Sequence, residues 1–143
     1  MIGPTPYELS IKEMLDNEIS KLSFGGCKVL IYEYPRELED IDDLTTSRFG
    51  ITSEGDMVVE FYTSVIEEVF NDQKSFIYQK YSSLEKYIQA IVRHEFRHYC
   101  QYKYAKDHDM NMDLLKNQSD ILEKDAYDYE NGIVHELSEI IKI

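Results

Sequence analysis

Residues 82–105 read "SSLEKYIQAIVRHEFRHYCQYKYA", the longest helical signal in the chain. Ser82 stands where a helix cap belongs, and Glu85 three residues on completes a capping box. Leu84, Tyr87, Ile91, His94, His98, Gln101 and Ala105 recur at helical spacing. This stripe begins apolar, turns to histidine, and ends small or polar. A solvated face would carry Lys and Glu at those places. The pattern therefore predicts one long helix whose histidines continue a core-facing line into a cleft, and the rest of the fold has to be built around it.

Within the helix, "HEFRH" (94–98) places His94 and His98 at i and i+4. Side chains at that spacing point the same way, one turn apart. Two imidazole nitrogens there can reach one metal ion at about 2.0–2.1 Å. Glu95 lies roughly 100° round the helix from His94, close enough to serve the same centre. Metal-assisted hydrolysis needs such a set: the ion lowers the pKa of water, and a carboxylate takes its proton and later delivers it to the leaving group. Chance yields HExxH in about one shuffled sequence of this composition in a hundred. The helical setting and the inward stripe are what favour the metal.

A catalytic zinc takes three protein ligands and keeps one open position. The first half of the chain has no histidine, and His108 lies past the expected end of the helix. An extended HExxHxxGxxH form needs Gly at 101 and His at 104; Gln101 and Tyr104 exclude it. The better third ligand is in "SDILEKDAYDYENG" (119–132). Leu122, Ala126, Tyr129 and Ile133 form an apolar stripe, and Glu123 sits at its edge, able to face His94 and His98. Two readings of Glu123 stand together here. It binds the metal, or it closes an Asp120-x-x-Glu123 capping box on its own helix. The nearby acids Asp125, Asp128 and Glu130 compete with Glu123 for that role and otherwise read as a solvated flank.

The remaining elements supply a small sheet. "YELSIKEMLDNEISKL" (7–22) is helical and stops at Gly25-Gly26; "CKVLIYEY" (27–34) is a strand ended by Pro35. "RELEDIDDLTTS" (36–47) is a loop or short helical turn. Phe49–Thr52 and Met57–Tyr62 flank "SEGD" as a hairpin, and "SVIEEVFNDQ" (64–73) is a short helix. A C-terminal helix starts near Asp120, with a break or kink at Asn131-Gly132. The expected class is α+β: a small, mostly antiparallel sheet with a hairpin, packed on the long helix, then a C-terminal helix. All 143 residues suit one domain, with no linker or repeat to divide them.

Charge and composition exclude some partners. With 28 acids against 15 bases the net charge is −13, which repels nucleic-acid phosphates and anionic membranes. No run approaches the roughly 18 apolar residues of a membrane span, and the N-terminus lacks an apolar signal region. Cys27 and Cys100 make no disulfide framework and fit a reducing compartment. The expectation is a cytoplasmic protein, a monomer or small homo-oligomer.

With "HEFRH" and "EKDA" (123–126) side by side, the chain resembles the gluzincin branch of the zincin metallopeptidases, especially the small single-domain forms of bacteria, phages and mobile elements. There an HExxH helix is followed by a helix opening ExxA. The likeness covers about Ser82 to Glu130; the upstream hairpin is similar to the family's sheet only in the order of elements. It implies a zincin-like fold, zinc held by His94, His98 and Glu123, and Glu95 as general base and then general acid. Many relatives carry Asp or Asn four residues after the third ligand, supporting a zinc histidine. This chain has Tyr127 there. Its hydroxyl could serve a ligand or a developing oxyanion, or its ring could belong to the core. Asp128 is the neighbouring substitute, although its helical direction is wrong. His135 is a further oxyanion candidate, provided that the break at Asn131-Gly132 brings it into phase. Cys100 reads as core, and Arg93 and Arg97 as flank residues that pair with acids.

The function so implied is zinc-dependent hydrolysis of a peptide or protein substrate, which could add as a strand to the hairpin's edge. The alternative is a zincin-fold protein with a binding or regulatory role and no proteolysis.

Overall fold

A computed structural model describes residues 10–35, 45–72, 80–110, 115 and 117–141. It contains two compact units, Met1–Val92 and Arg93–Ile143. The boundary falls inside a continuous helix, so no linker makes the division.

The first unit opens with α1 (Ile11–Ser20). Its cap is Ser10, whose Oγ accepts the Glu13 backbone N–H at 3.1 Å. Residues before Ser10, where the sequence pattern began, lie outside the described residues. Gly26 has φ +79°, which a β-carbon disfavours, and turns the chain into β1 (Cys27–Tyr32). Strands β2 (Ser47–Ile51) and β3 (Met57–Tyr62) pair antiparallel, with Phe49 opposite Val59. Their turn holds the expected "SEGD". Thr52 accepts the Gly55 N–H through its carbonyl and the Asp56 N–H through its hydroxyl, while Gly55 takes φ +88°. The loop reading of 36–47 falls largely outside the described residues.

The chain is α+β, as expected, but the sheet is mixed rather than mostly antiparallel. Its order is β1-β3-β2, and β1 runs parallel to β3, with Val29 opposite Val59. The hairpin is local, so its turn residues announce it. The partner of β1 is nonlocal: β3 enters between β1 and β2, and no residue near β1 encodes that direction. As the middle strand, β3 is the most buried, with Met57, Val59, Phe61 and Tyr62 all inside.

Helix α2 (Thr63–Asp72) follows directly, and α3 (Leu84–Asp107) begins in this unit. The cap of α3 is Ser83 rather than Ser82: Ser83 Oγ accepts the Lys86 N–H at 3.1 Å, while Ser82 is turned out of register at φ +65°. Leu15, Val59, Phe61, Ile66, Ile88, Ile91 and Val92 form the core. A second cluster joins Tyr62, Val65, Val69 and Phe70, with Leu84 and Tyr87 against it. The sheet thus packs on the opening turns of the long helix, and the apolar start of the stripe is spent there.

The second unit contains the rest of α3, then α4 (Ser119–Glu130) and α5 (Leu137–Ile140). Ala105, Leu115, Leu122 and Ile141 are its apolar centre. Helix α4 ends at the Asn131-Gly132 break. Gly132, at φ +90°, donates to the Tyr129 carbonyl, and Ile133 N–H reaches back to Asp128 at 2.8 Å, the two bonds of a Schellman stop. Ile133 therefore leaves the stripe predicted for it and stands 53% exposed. Among the described residues, no helix is long and apolar enough to cross a membrane.

Phe61, fully buried in the middle strand, sets a test of this core. Phe61→Ala should lower unfolding stability by about 3–5 kcal/mol in chemical denaturation, through lost burial and an unfilled cavity. Glu67→Ala, on the exposed side of α2, should leave it nearly unchanged.

Candidate metal centre

One turn of α3 separates His94 and His98, and their rings meet edge to face with centroids 4.9 Å apart. Glu123, on the first turns of α4, reaches both. Its Oε1 lies 2.8 Å from His98 Nε2, and its Oε2 lies 3.1 Å from His94 Nε2. The donor atoms of the three residues all fall within 4.8 Å of one another. Around a tetrahedral zinc, with ligands at about 2.0–2.1 Å, donor atoms stand roughly 3.3 Å apart. Two imidazole nitrogens and a carboxylate oxygen at these separations make a donor set able to hold such an ion.

The capping-box alternative for Glu123 does not describe its carboxylate. Helix α4 starts at Ser119 after Gln118, which makes no side-chain cap bond, and both Glu123 oxygens face imidazoles.

The electrostatics follow from these contacts. Burial by itself favours a neutral His94 ring. The hydrogen bonds to Glu123 and Glu130, with the charge of Glu95, outweigh it and raise the His94 pKa to about 10. His98 shifts upward as well: burial opposes the change, and Glu123 and Glu95 drive it. Hydrogen bonds to the two rings hold the Glu123 carboxyl well below the usual carboxylate range. Glu95 itself is 4% exposed. Its charge acts on both rings, so the buried carboxylate next in sequence to His94 shares their surroundings.

Behind the rings lies a polar layer that the sequence reading did not anticipate. His94 Nδ1 is 3.4 Å from Glu130 Oε1, a carboxylate 12% exposed. His98 Nδ1 is 2.9 Å from Gln101 Oε1. Gln101 Nε2 in turn donates to the Leu122 carbonyl at 2.9 Å and to Asp125 Oδ2 at 2.8 Å. Asp125 also accepts from Arg97 Nε at 2.7 Å, and Arg97 reaches the His135 carbonyl at 2.6 Å.

Several expectations change accordingly. Arg97 and Asp125 are not flank residues but a buried ion pair, 5% and 1% exposed. Glu130 turns toward His94 instead of solvent. Arg93 does sit partly exposed; it donates to the Tyr129 carbonyl and stacks over that ring. Tyr127 is 49% exposed, so its ring is not a core aromatic. Asp128 does not back a site histidine: it accepts from Lys124 and from the His135 ring at 2.9 Å. The ring of His135, the oxyanion candidate beyond the Asn131-Gly132 break, is thereby engaged with Asp128. Cys100 is half-buried, with burial raising its thiol pKa, and it and Cys27 are free thiols.

The polar layer had a signal in the sequence. Gln101 lies on the core stripe of α3, and a polar residue there must find partners. Arg97 lies about 60° from His94, and Asp125 about 60° from Leu122, each at the edge of its stripe, as Glu123 is at about 60° from Ala126. Glu130 follows Glu123 by two turns on the same side of α4.

Comparison with protein-family models, curated proteins and solved structures gives no match, so the functional reading rests on the residues and their geometry.

The raised histidine pKa values give this centre a sign. At neutral pH the His94 ring carries a proton at Nε2, and a cation taking that nitrogen must expel it. Zinc affinity should therefore rise with pH between 6 and 9, by up to about tenfold per unit for each proton displaced. Competition titrations against a chromophoric chelator at several pH values measure this slope. An affinity flat across the range would contradict the assignment of His94 as a ligand.

Proposed function

We propose that this chain is a small zinc-dependent metallopeptidase of the zincin kind, with His94, His98 and Glu123 as metal ligands and Glu95 as general base and acid. The observation that carries the reading is the reach of both Glu123 oxygens to the Nε2 atoms of an HExxH pair. Chance placement of a glutamate on a second helix has no reason to produce that contact. The buried Glu95 beside it adds the group that a purely structural metal site does not need.

In this reading a bound zinc ion supplies Lewis acidity, lowering the pKa of water and polarising a carbonyl. The chain's own residues do the rest. Glu95, held in low-dielectric surroundings, takes a proton from the attacking water through its carboxylate and returns it to the departing amine nitrogen. His94 and His98 direct their Nε2 atoms to one place because they share a helical face, and Glu123 closes the set from α4. The substrate class is a peptide or protein.

Two variants test the assignment. Glu95→Gln should lower peptide hydrolysis by about 10²–10⁴-fold, read by mass spectrometry on a peptide library, while bound zinc stays at one per chain. Glu123→Gln should lose zinc and activity together. Zinc-loaded protein that binds the peptides yet cleaves none, with Glu95→Gln indistinguishable from it, would point instead to a binding or regulatory role. No zinc bound by the unaltered chain would defeat the metal reading altogether.

A further inference from the structure

We propose that Gln101 is the positioning residue of His98: it fixes which ring nitrogen faces the centre, and the Arg97–Asp125 pair locks it in that pose. The inference begins with the amide of Gln101, which is fully buried. An amide carries two N–H donors on one end and an acceptor oxygen on the other. Both hydrogens are engaged here, one by the Leu122 carbonyl and one by Asp125 Oδ2. Each of these partners only accepts, so rotating the amide by half a turn would set oxygen against oxygen twice. The orientation has no alternative, and Oε1 must face His98.

That oxygen lies 2.9 Å from His98 Nδ1. Because it accepts only, Nδ1 must carry the hydrogen. Whenever the ring is neutral, its lone pair is therefore on Nε2, the nitrogen that lies 2.8 Å from Glu123. Gln101 thus selects a tautomer and a ring orientation through one acceptor.

Besides the neutral Leu122 carbonyl, a charged pair holds Gln101. Asp125 Oδ2 accepts from both Gln101 and Arg97 Nε, and Arg97 anchors a second time on the His135 carbonyl. A buried carboxylate cannot give up these donors without being left charged and unsolvated. The relay runs from the end of the chain's second unit to the ring: His135 carbonyl, Arg97, Asp125, Gln101, His98. His94 has a different support, the Glu130 carboxylate at 3.4 Å. One ring is thus backed by an acid and the other by a neutral amide.

The tautomer rests on hydrogen bonds alone; only its consequence for zinc rests on the function proposed above. The two are separable by experiment on the full chain labelled with 15N at histidine. Long-range 1H–15N correlations of the zinc-loaded protein should show Nδ1 as the N–H nitrogen of His98. In zinc-free protein the same Nδ1 proton should exchange slowly with water. Gln101→Met, similar in length but without an acceptor, should lose that protection and weaken zinc binding about 10- to 100-fold. Glu123→Gln should lose zinc while the Nδ1 proton of His98 stays protected, which separates the relay from the metal. A zinc-loaded His98 with its hydrogen on Nε2 would overturn the proposal. So would a folded Gln101→Met protein with wild-type zinc affinity and a protected Nδ1 proton. Should Gln101→Met fail to fold, the spectra of the unaltered chain still decide.

Discussion

The second unit is organised around one buried charge. Asp125 is 1% exposed, and a carboxylate in that position is tolerable only with its donors fixed. Arg97 supplies two of them from α3, and Gln101 a third. Removing one partner from a buried pair of this kind typically costs about 3–5 kcal/mol, because the remaining charge is left uncompensated. The pair therefore sets the rotation of α4 against this part of α3. Glu123 lies two residues before Asp125, on the other side of the Leu122–Ala126 line. With Asp125 clamped to Arg97, Glu123 stands on the opposite flank of the stripe, where its carboxylate reaches His94 and His98.

This also explains how the candidate site could be read in part from sequence. Periodicity reports the angle of a residue on its own helix. It placed His94, Glu95 and His98 correctly relative to one another, because all three belong to α3. It placed Glu123 beside an apolar stripe, because Leu122 and Ala126 define one. It could not say which acid of α4 would be buried and which would face the histidines. Asp125 and Glu123 flank the stripe from opposite sides, and only the position of Arg97 on another helix distinguishes them. Composition gave no help either, since in a chain with 28 acids most carboxylates face water.

The first unit shows the same division between local and nonlocal information. The β2–β3 hairpin was legible because Gly55 and Thr52 carry its turn. The cap of α3 was legible to within a residue, as two adjacent serines offer equal chemistry and only the backbone of Ser82 decides between them. The direction of β1 was not legible. Its residues Val29 to Tyr32 are one continuous β-favouring run that suits either kind of pairing, and the parallel register with β3 is set by where the chain travels between them.

The polar layer bears on the proposed chemistry through its charge. Glu95, Glu123 and Glu130 bring three carboxylates to two imidazoles, both of which the surroundings favour in the protonated form. These carboxylates favour positive charge at the two rings, whether it comes from protons or from a divalent cation. A further carboxylate at position 101 would add negative charge beside His98. It would also face Asp125 and the Leu122 carbonyl with no hydrogen to offer either. A neutral amide meets all three demands at once: it accepts from His98, donates to Asp125 and adds no charge. Position 101 is therefore constrained by the ring on one side and by the buried carboxylate on the other, and among the side chains of that length glutamine alone satisfies both.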